Sequence, residues 1–299
     1  MTGRFWLKIC IFLVSLGITG NMLNYLCSER DIRNTLTESI NYDAFRDLRL
    51  NGRVIEEAET RMERLKNKSP RLSGEKYIDA IGYLTFSMLA REFDLTDHKL
   101  VSEEAFLRGR KRLVQRQGFG RLYEYYDAIL SDLKCFPVPR VDGSNTQNKD
   151  ISFADSWNEL RNYGGRRKHE GTDIMANNNL RGYYPIISIT DGRVEKLGWL
   201  EQGGYRIGIR SPSGGYFYYA HLASYAPELS EGDNIIAGQL LGFMGDSGYG
   251  KEGTVGQFDV HLHVGIYVQT EAGEMSINPY ALLCLLEKNR SSFIHGRQD

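Results

Sequence analysis

The glycine residues of this chain are unevenly distributed, and their distribution indicates the fold class. Most of the 32 glycines lie beyond residue 150, where they separate short runs of strand-type residues. Asp191-Gly192, a dipeptide typical of hairpin turns, ends one such run, and Pro212-Ser213-Gly214-Gly215 joins two others. Many short strands divided by glycine turns predict an antiparallel β domain.

The first half of the chain has fewer glycines and a helical pattern. From about residue 28 to residue 136, apolar residues recur at spacings of three and four. The three stretches are Ile55, Ala58, Met62 and Leu65; Ile78, Ile81, Leu84, Leu89 and Phe93; and Leu122, Tyr125, Ile129 and Leu133. Proline- and glycine-containing segments between residues 137 and 149 indicate an irregular connection. The sequence therefore predicts an α+β protein, with a helical region at 28–135 and a β domain at 136–299.

The N-terminus carries a basic flank followed by an uncharged run. Arg4 and Lys8 precede mainly apolar residues from Ile9 to Leu26, close to the ~20 residues that span a bilayer. This pattern is typical of a membrane signal anchor or of a signal peptide, and Ser15-Leu16-Gly17 offers a candidate cleavage site. We expect residues 1–27 to be one of the two. Both place the remaining chain outside the cytoplasm, either held at the cell membrane by a single span or secreted after cleavage.

Charge and cysteine content exclude some classes of function. The formal net charge of −1 argues against a dedicated nucleic-acid binder, so no nucleic-acid partner is expected. The basic stretch at 108–112 is either a solvated helix face or a contact for anionic lipid or wall polymer. The four cysteines form no CxxC or zinc-finger spacing. Cys135 and Cys284 either pair or remain buried thiols.

The histidines identify the candidate site. Four of the six histidines lie in the predicted β domain: His169, His221, His261 and His263. His261 and His263 stand at i and i+2 of a strand-type run, so their imidazoles share one face. His169 and Asp173 are four residues apart around a glycine. Because zinc in hydrolases usually binds three nitrogen or oxygen ligands and leaves a position for water, these residues predict a zinc site.

The order of four motifs adds a family resemblance. The motifs are His169-x-x-x-Asp173, Tyr219-Ala220-His221-Leu222, Gly245-Asp246-Ser247-Gly248 and His261-Leu262-His263. Together they resemble the LytM and lysostaphin-type peptidoglycan endopeptidases over roughly residues 136–280. The resemblance implies the antiparallel β fold of that family, a duplicated hybrid motif. It further implies Zn²⁺ ligands His169, Asp173 and His263, with His221 and His261 as catalytic residues beside the metal-bound water and the scissile carbonyl.

The function that this resemblance implies is zinc-dependent hydrolysis of peptide cross-links or stem peptides in bacterial peptidoglycan. The alternative is a zinc-binding scaffold or activator of another cell-wall hydrolase, without turnover of its own. One segment departs from the family pattern: Lys251–Asp259 is a longer insert before the last motif, and we expect it to reshape one wall of the groove. Several aromatic residues either line that groove or pack in the core: Tyr183, Tyr184, Phe217, Tyr219 and Tyr249. The bond that is cut stays open.

Overall fold

The computed structural model describes residues 40–97, 99–141, 150–162 and 166–293, together with Met22. Apart from Met22, the predicted anchor or signal peptide at 1–27 lies outside the described residues. Among the residues that are described, no helix is both long enough and apolar enough to cross a membrane.

The chain divides into two compact units. One comprises Met1–Tyr42 and Val54–Tyr123, and the other comprises Asp43–Arg53 and Glu124–Asp299. Residues 43–53 and 124–135, which the sequence pattern places in the helical region, thus belong to the unit that contains the β sheet. Independent folding of residues 136–299 stays a prediction.

The described α-helices are α1 (Tyr42–Asp47), α2 (Gly52–Lys68), α3 (Ala80–Ala90), α4 (Glu103–Leu113), α5 (Gln117–Leu130) and α6 (Tyr280–Glu287). Of these, α2, α3 and α5 lie where the apolar periodicity predicts helices, whereas α6 lies in the predicted β domain. Ala58 and Met62 of α2, and Leu84 of α3, are buried as their spacing predicts. The N-terminus of α3 is capped by Asp79, whose carboxylate accepts a hydrogen bond from the Gly82 N–H at 2.7 Å.

The strands are concentrated beyond residue 139. They are β1 (Arg49–Leu50), β2 (Asp94–Leu95), β3 (Arg140–Val141), β4 (Ile151–Ser152), β5 (Leu160–Arg161), β6 (Arg167–Lys168), β7 (Thr172–Ala176), β8 (Pro185–Ile187), β9 (Gly192–Leu200), β10 (Gly204–Arg210), β11 (Tyr216–Tyr225), β12 (Asn234–Ile235), β13 (Leu240–Met244), β14 (His261–Thr270), β15 (Gly273–Ile277) and β16 (Ser292–Phe293). Within the described residues, ten of them form one sheet with the path β12-β9-β10-β11-β14-β7-β4, while β13 pairs with β11 and β8, and β15 pairs with β14. All pairings in this sheet are antiparallel, as the glycine turns predict.

One face of the central strands forms the core of this unit. On β11, Phe217 and Tyr219 are fully buried, and the Tyr219 hydroxyl accepts a hydrogen bond from the Ile189 N–H at 2.8 Å. Leu262 on β14 is also fully buried. Phe217 and Tyr219 are therefore core residues, whereas Tyr249 lines the groove described below. Cys284 is a free thiol, and so is Cys135.

Candidate metal centre

Strand pairing brings together residues that are far apart in the sequence. In the β7–β14 pair, Asp173 lies directly opposite His263. Strand β11 pairs with the other edge of β14, and there Ala220 lies opposite His263. Directly opposed residues of an antiparallel pair project to the same face of the sheet. His169 precedes β7 and is almost fully buried. The three predicted metal ligands therefore meet on one face.

The ligand atoms of these three residues are closely grouped. Nε2 of His169 lies 3.1 Å from Oδ1 of Asp173 and 3.1 Å from Nδ1 of His263, and Nδ1 of His263 lies 2.9 Å from Oδ1 of Asp173. Two ligands of tetrahedral zinc, each at its usual bond length, stand about 3.3 Å apart. The group can hold a metal ion, and both its spacing and its donor set of two imidazoles and one carboxylate fit zinc.

Neighbouring groups orient His169 and Asp173. Nδ1 of His169 lies 3.2 Å from the carbonyl oxygen of Ser156 and 2.9 Å from its hydroxyl. The same Nδ1 lies 3.1 Å from Nη2 of Arg161, so either Arg161 donates to Nδ1 or Nδ1 donates to Ser156. Donation to Ser156 leaves Nε2 as a ligand. Arg161 donates from Nη2 to Oδ2 of Asp173 at 2.9 Å. Sequence reasoning gave Ser156 and Arg161 no role, because both act through spatial contacts that no motif records.

Gly171 permits this close approach. A Cβ atom at position 171 would lie 2.4 Å from Cε1 of His263 and 2.6 Å from the carbonyl oxygen of Val264. A side chain at position 171 would displace the imidazole of His263. The glycine between His169 and Asp173 is thus required by packing against the third ligand.

Two further imidazoles stand beside the three ligands. The ring centroids of His221 and His261 are 4.7 Å apart, and that of His221 is 6.2 Å from that of His263. Nδ1 of His221 lies 2.8 Å from the carbonyl oxygen of Ser247, and Nδ1 of His261 lies 2.7 Å from that of Asp259. Since a carbonyl oxygen only accepts, both Nδ1 atoms carry protons in the neutral rings. Each Nε2 therefore keeps a lone pair.

A bulge in β11 sets the position of His221. Tyr205 of β10 pairs with Leu222, but Ile207 pairs with Tyr219, so β11 has one extra residue between these pairs. His221 lies in this bulge with a φ of 63°, in the left-handed region. Bulges of this kind redirect side chains and are frequent next to active sites.

Burial controls the charges in the centre. Burial, followed by repulsion from His261, holds the pKa of His221 well below its ordinary value, so its ring is neutral near pH 7. Burial also lowers the pKa of His263. For Asp173, burial opposes ionisation, but the close contacts with His169 and His263 outweigh it and hold the pKa below its ordinary range. Neutral imidazoles and an ionised carboxylate are the protonation states that metal binding requires.

The centre opens into a groove of about 810 Å³. The ring of Phe258 lies 4.7 Å from that of His221, and Tyr249 stacks on His221 at 6.0 Å. Phe258 belongs to the insert Lys251–Asp259, so this insert contributes to the groove wall. Asp246 holds part of it by accepting a hydrogen bond from the Gly256 N–H at 3.1 Å. Sequence reasoning missed Phe258, because the insert matches no motif of the family.

Comparisons with known proteins agree with this geometry. Residues 167–279 match Peptidase family M23. The chain is 39% identical over 170 residues to the L-Ala–D-Glu endopeptidase of Bacillus subtilis (strain 168), a match that covers 57% of this chain and 49% of that protein. The chain thus spans about half the length of this relative. Lysostaphin from Staphylococcus simulans is 28% identical over 117 residues, which cover 38% of this chain and 21% of lysostaphin.

A solved structure matches most of this chain. It comes from Ruminococcus gnavus, was named as a candidate glycyl-glycine endopeptidase LytM, and is 38% identical with a TM-score of 0.68. The match covers 90% of this chain and 99% of the other. The family match over residues 167–279 also includes His169, Asp173, His221, His261 and His263. The chain belongs to peptidase family M23.

Proposed function

We propose that this protein is a zinc-dependent endopeptidase that hydrolyses peptide bonds of bacterial peptidoglycan. The observation that carries the proposal is the meeting of five side chains in one groove. Three of them have ligand atoms within 3.1 Å of one another, and two are imidazoles with a free Nε2 lone pair. A scaffold without turnover needs the first three at most, so the two additional imidazoles favour an enzyme.

The names of two relatives suggest which peptide bond this protein cleaves. The L-Ala–D-Glu endopeptidase is 39% identical to this chain, whereas the glycyl-glycine endopeptidase ALE-1 of Staphylococcus capitis is 32% identical over 83 residues. We propose the L-Ala–D-Glu bond of a stem peptide as the substrate bond. A glycyl bridge is the competing substrate, and it differs in having no side chains.

The chemistry follows from the protonation states. His169, Asp173 and His263 would hold the zinc ion. When bound, zinc supplies Lewis acidity, polarising the substrate carbonyl and lowering the pKa of water to ~7. Nε2 of His221 or His261 accepts the proton of the attacking water, and the resulting N–H then donates it to the leaving amine. The carbonyls of Ser247 and Asp259 hold these two rings in the required tautomer throughout.

The test uses the full chain and purified bacterial cell wall. New amino termini released from the wall are quantified for the zinc-loaded protein, for protein stripped by a chelator, and for stripped protein resupplied with zinc. We expect release only in the zinc-containing samples. Protein that binds zinc stoichiometrically and releases no amino termini from any wall preparation supports the scaffold and rejects the enzyme.

We also propose that residues 1–27 place the protein at the outer side of the cell membrane, or direct its secretion. The support is the basic flank and the uncharged run of Ile9–Leu26. Fractionation of cells that express the full chain tests this. Recovery of the protein only in the cytoplasmic fraction would reject both versions.

A further inference from the structure

Arg206 of β10 lies beside the catalytic imidazoles. The residues on either side of Arg206, Tyr205 and Ile207, pair with Leu222 and Tyr219 of β11. The bulge residues Ala220 and His221 therefore lie opposite Arg206. Its side chain lines the same groove as His221 and His263. Across the sheet, Arg206, Ala220 and His263 follow one another on adjacent strands. With strands ~4.8 Å apart, the Arg206 backbone is about 10 Å from that of His263, which a long side chain and a small substrate group can bridge.

The guanidinium of Arg206 has no acceptor among the described residues. Its Nη1 atom is buried without a hydrogen-bond partner. The acidic side chains that line the groove are each paired with a different arginine: Asp173 with Arg161 at 2.9 Å, Glu170 with Arg46 at 2.6 Å, and Glu274 with Arg210 at 3.1 Å. Tyr216 and Tyr218 line the groove as well, and burial raises the pKa of both, so they stay uncharged.

Arg206 itself is half-buried, but a guanidinium nitrogen that is buried without a partner is costly unless a ligand supplies an acceptor. Arginine presents a planar fork of N–H donors that matches a carboxylate in two-point contact. Among the described residues that line the groove, Lys168 is also basic but lacks this fork. Arg206 presents the fork to a carboxylate of the substrate. Arg167, in contrast, donates from Nη2 to the Tyr249 hydroxyl at 2.5 Å.

The chemistry of an L-Ala–D-Glu bond supplies such a group. Glutamate has two carboxyl groups, and a linear peptide continues through only one of them. The other stays free on the residue that provides the leaving amine, a few bonds from the scissile carbonyl. A glycyl bridge has no equivalent group.

We propose that Arg206 binds the free carboxylate of the residue on the amine side of the scissile bond. The enzyme would therefore select peptides in which this carboxylate is free over those in which it is amidated. This inference rests on the proposed function and adds the specificity residue. Amidation removes the negative charge and replaces one acceptor oxygen with a donor, so the two-point contact with Arg206 is lost.

The test measures kcat/KM of the zinc-loaded full chain on two synthetic peptides. Both contain the L-Ala–D-Glu bond and differ only in whether the free carboxylate is present as the acid or as the carboxamide. We expect the wild-type protein to prefer the acid by about 10- to 100-fold, the range of a hydrogen bond to a charged group. Arg206→Gln should remove this preference by slowing hydrolysis of the acid peptide, with little change for the amide.

Two further variants separate recognition from general damage. Arg206→Lys keeps the charge without the fork and should retain part of the preference. Arg140→Gln removes an exposed arginine of β3, which does not line the groove, and should leave the preference unchanged. Melting temperature and zinc content verify the fold of each variant. A folding defect lowers both rates together, so the ratio of the two rates reports on recognition.

The outcomes are distinct. A wild-type ratio near one overturns the carboxylate site while leaving the endopeptidase intact, and so does an Arg206→Gln variant that keeps the wild-type ratio. If Arg206→Gln does not fold, the wild-type ratio and the Arg206→Lys ratio decide. A wild-type protein that cleaves neither peptide but cleaves a glycyl peptide rejects the proposed bond, and the carboxylate site with it.

Discussion

His261 and His263 stand two residues apart on β14, yet they have different partners. His263 places Nδ1 2.9 Å from Oδ1 of Asp173, inside the group that can hold a metal. His261 donates from Nδ1 to the carbonyl of Asp259 and turns its Nε2 toward the groove, 3.9 Å from Oδ1 of Asp173. The geometry therefore supports the different roles that the family resemblance implies for them.

Alanine substitutions separate these two roles. We expect His263→Ala to lose zinc and activity together, because it removes a ligand. We expect His261→Ala to keep near-normal zinc and lose activity by about 10²- to 10⁴-fold, the usual range for a general acid–base residue. Zinc content by atomic absorption, measured beside turnover, checks both. Metal-free His261→Ala beside zinc-loaded His263→Ala would mean that the two roles are exchanged.

His221 requires a different substitution, because its φ of 63° is unfavourable for most side chains. Asparagine tolerates this region, so His221→Asn tests the imidazole with less backbone strain than His221→Ala. We expect His221→Asn to keep its zinc and to lose turnover by about 10²- to 10⁴-fold, as for His261→Ala. Turnover within twofold of wild type would exclude His221 from proton transfer.

The lowered pKa values of His221 and His263 predict how stability depends on pH. Above the ordinary histidine pKa of 6.5, both rings are neutral in the folded and the unfolded chain. Below it, the unfolded chain binds protons that the folded chain binds less readily, so folding weakens as pH falls. We expect the melting temperature of zinc-free protein to fall between about pH 6.5 and pH 5. His221→Asn should show a shallower fall. A wild-type melting temperature that rises as the pH is lowered from about 6.5 to 5 would contradict the lowered pKa values.

Along β14, successive side chains point alternately into the groove and into the hydrophobic core. His261 and His263 line the groove, while Leu262 between them is fully buried, as the period of two predicts. We expect Leu262→Ala to destabilise the fold by about 2–5 kcal/mol without changing the zinc stoichiometry of the folded protein. Chemical denaturation and metal analysis check this. Loss of zinc from a fully folded Leu262→Ala variant would show that Leu262 contributes to the metal site as well as to the core.

Periodicity and motifs predicted the elements but not their partners. Helical spacing located α2, α3 and α5, and the histidine motifs identified residues that meet in the structure. Arg161, Arg206 and Phe258 had no predicted role, since each depends on register, on a bulge, or on the path of an insert. These properties arise from long-range pairing, which local patterns do not encode. The bulge at His221 is an example, because the extra residue is visible only against β10.

The two compact units divide within α1, and residues 43–47 of this helix belong to the unit that contains the sheet. Phe45 is fully buried, with its ring 5.2 Å from that of Tyr126. Trp157 donates from its indole N–H to Asp47 at 2.9 Å, and Arg46 pairs with Glu170, the residue after His169. These contacts connect residues 43–53 to the segment that carries the first metal ligand.

A fragment of residues 136–293 therefore lacks part of this unit. We expect it to fold as a β domain, bind one zinc and hydrolyse soluble peptide, but to melt at a lower temperature than the full chain. Phe45→Ala in the full chain is the matched test, with an expected loss of about 3–5 kcal/mol. A metal-free and mostly helical fragment would reject the predicted domain. If both the fragment and the Phe45→Ala variant are as stable as the unmodified full chain, residues 43–53 do not stabilise the unit that contains the sheet.

We propose that one zinc ion, held by His169, Asp173 and His263, makes this chain a peptidoglycan endopeptidase. The most direct test is a titration of zinc into the stripped full chain, with peptide-bond hydrolysis on purified wall recorded beside bound metal. We expect turnover to rise in proportion to bound zinc and to reach its maximum at one zinc per chain. Full turnover in the stripped protein, or full zinc occupancy without hydrolysis of any wall peptide, would contradict it.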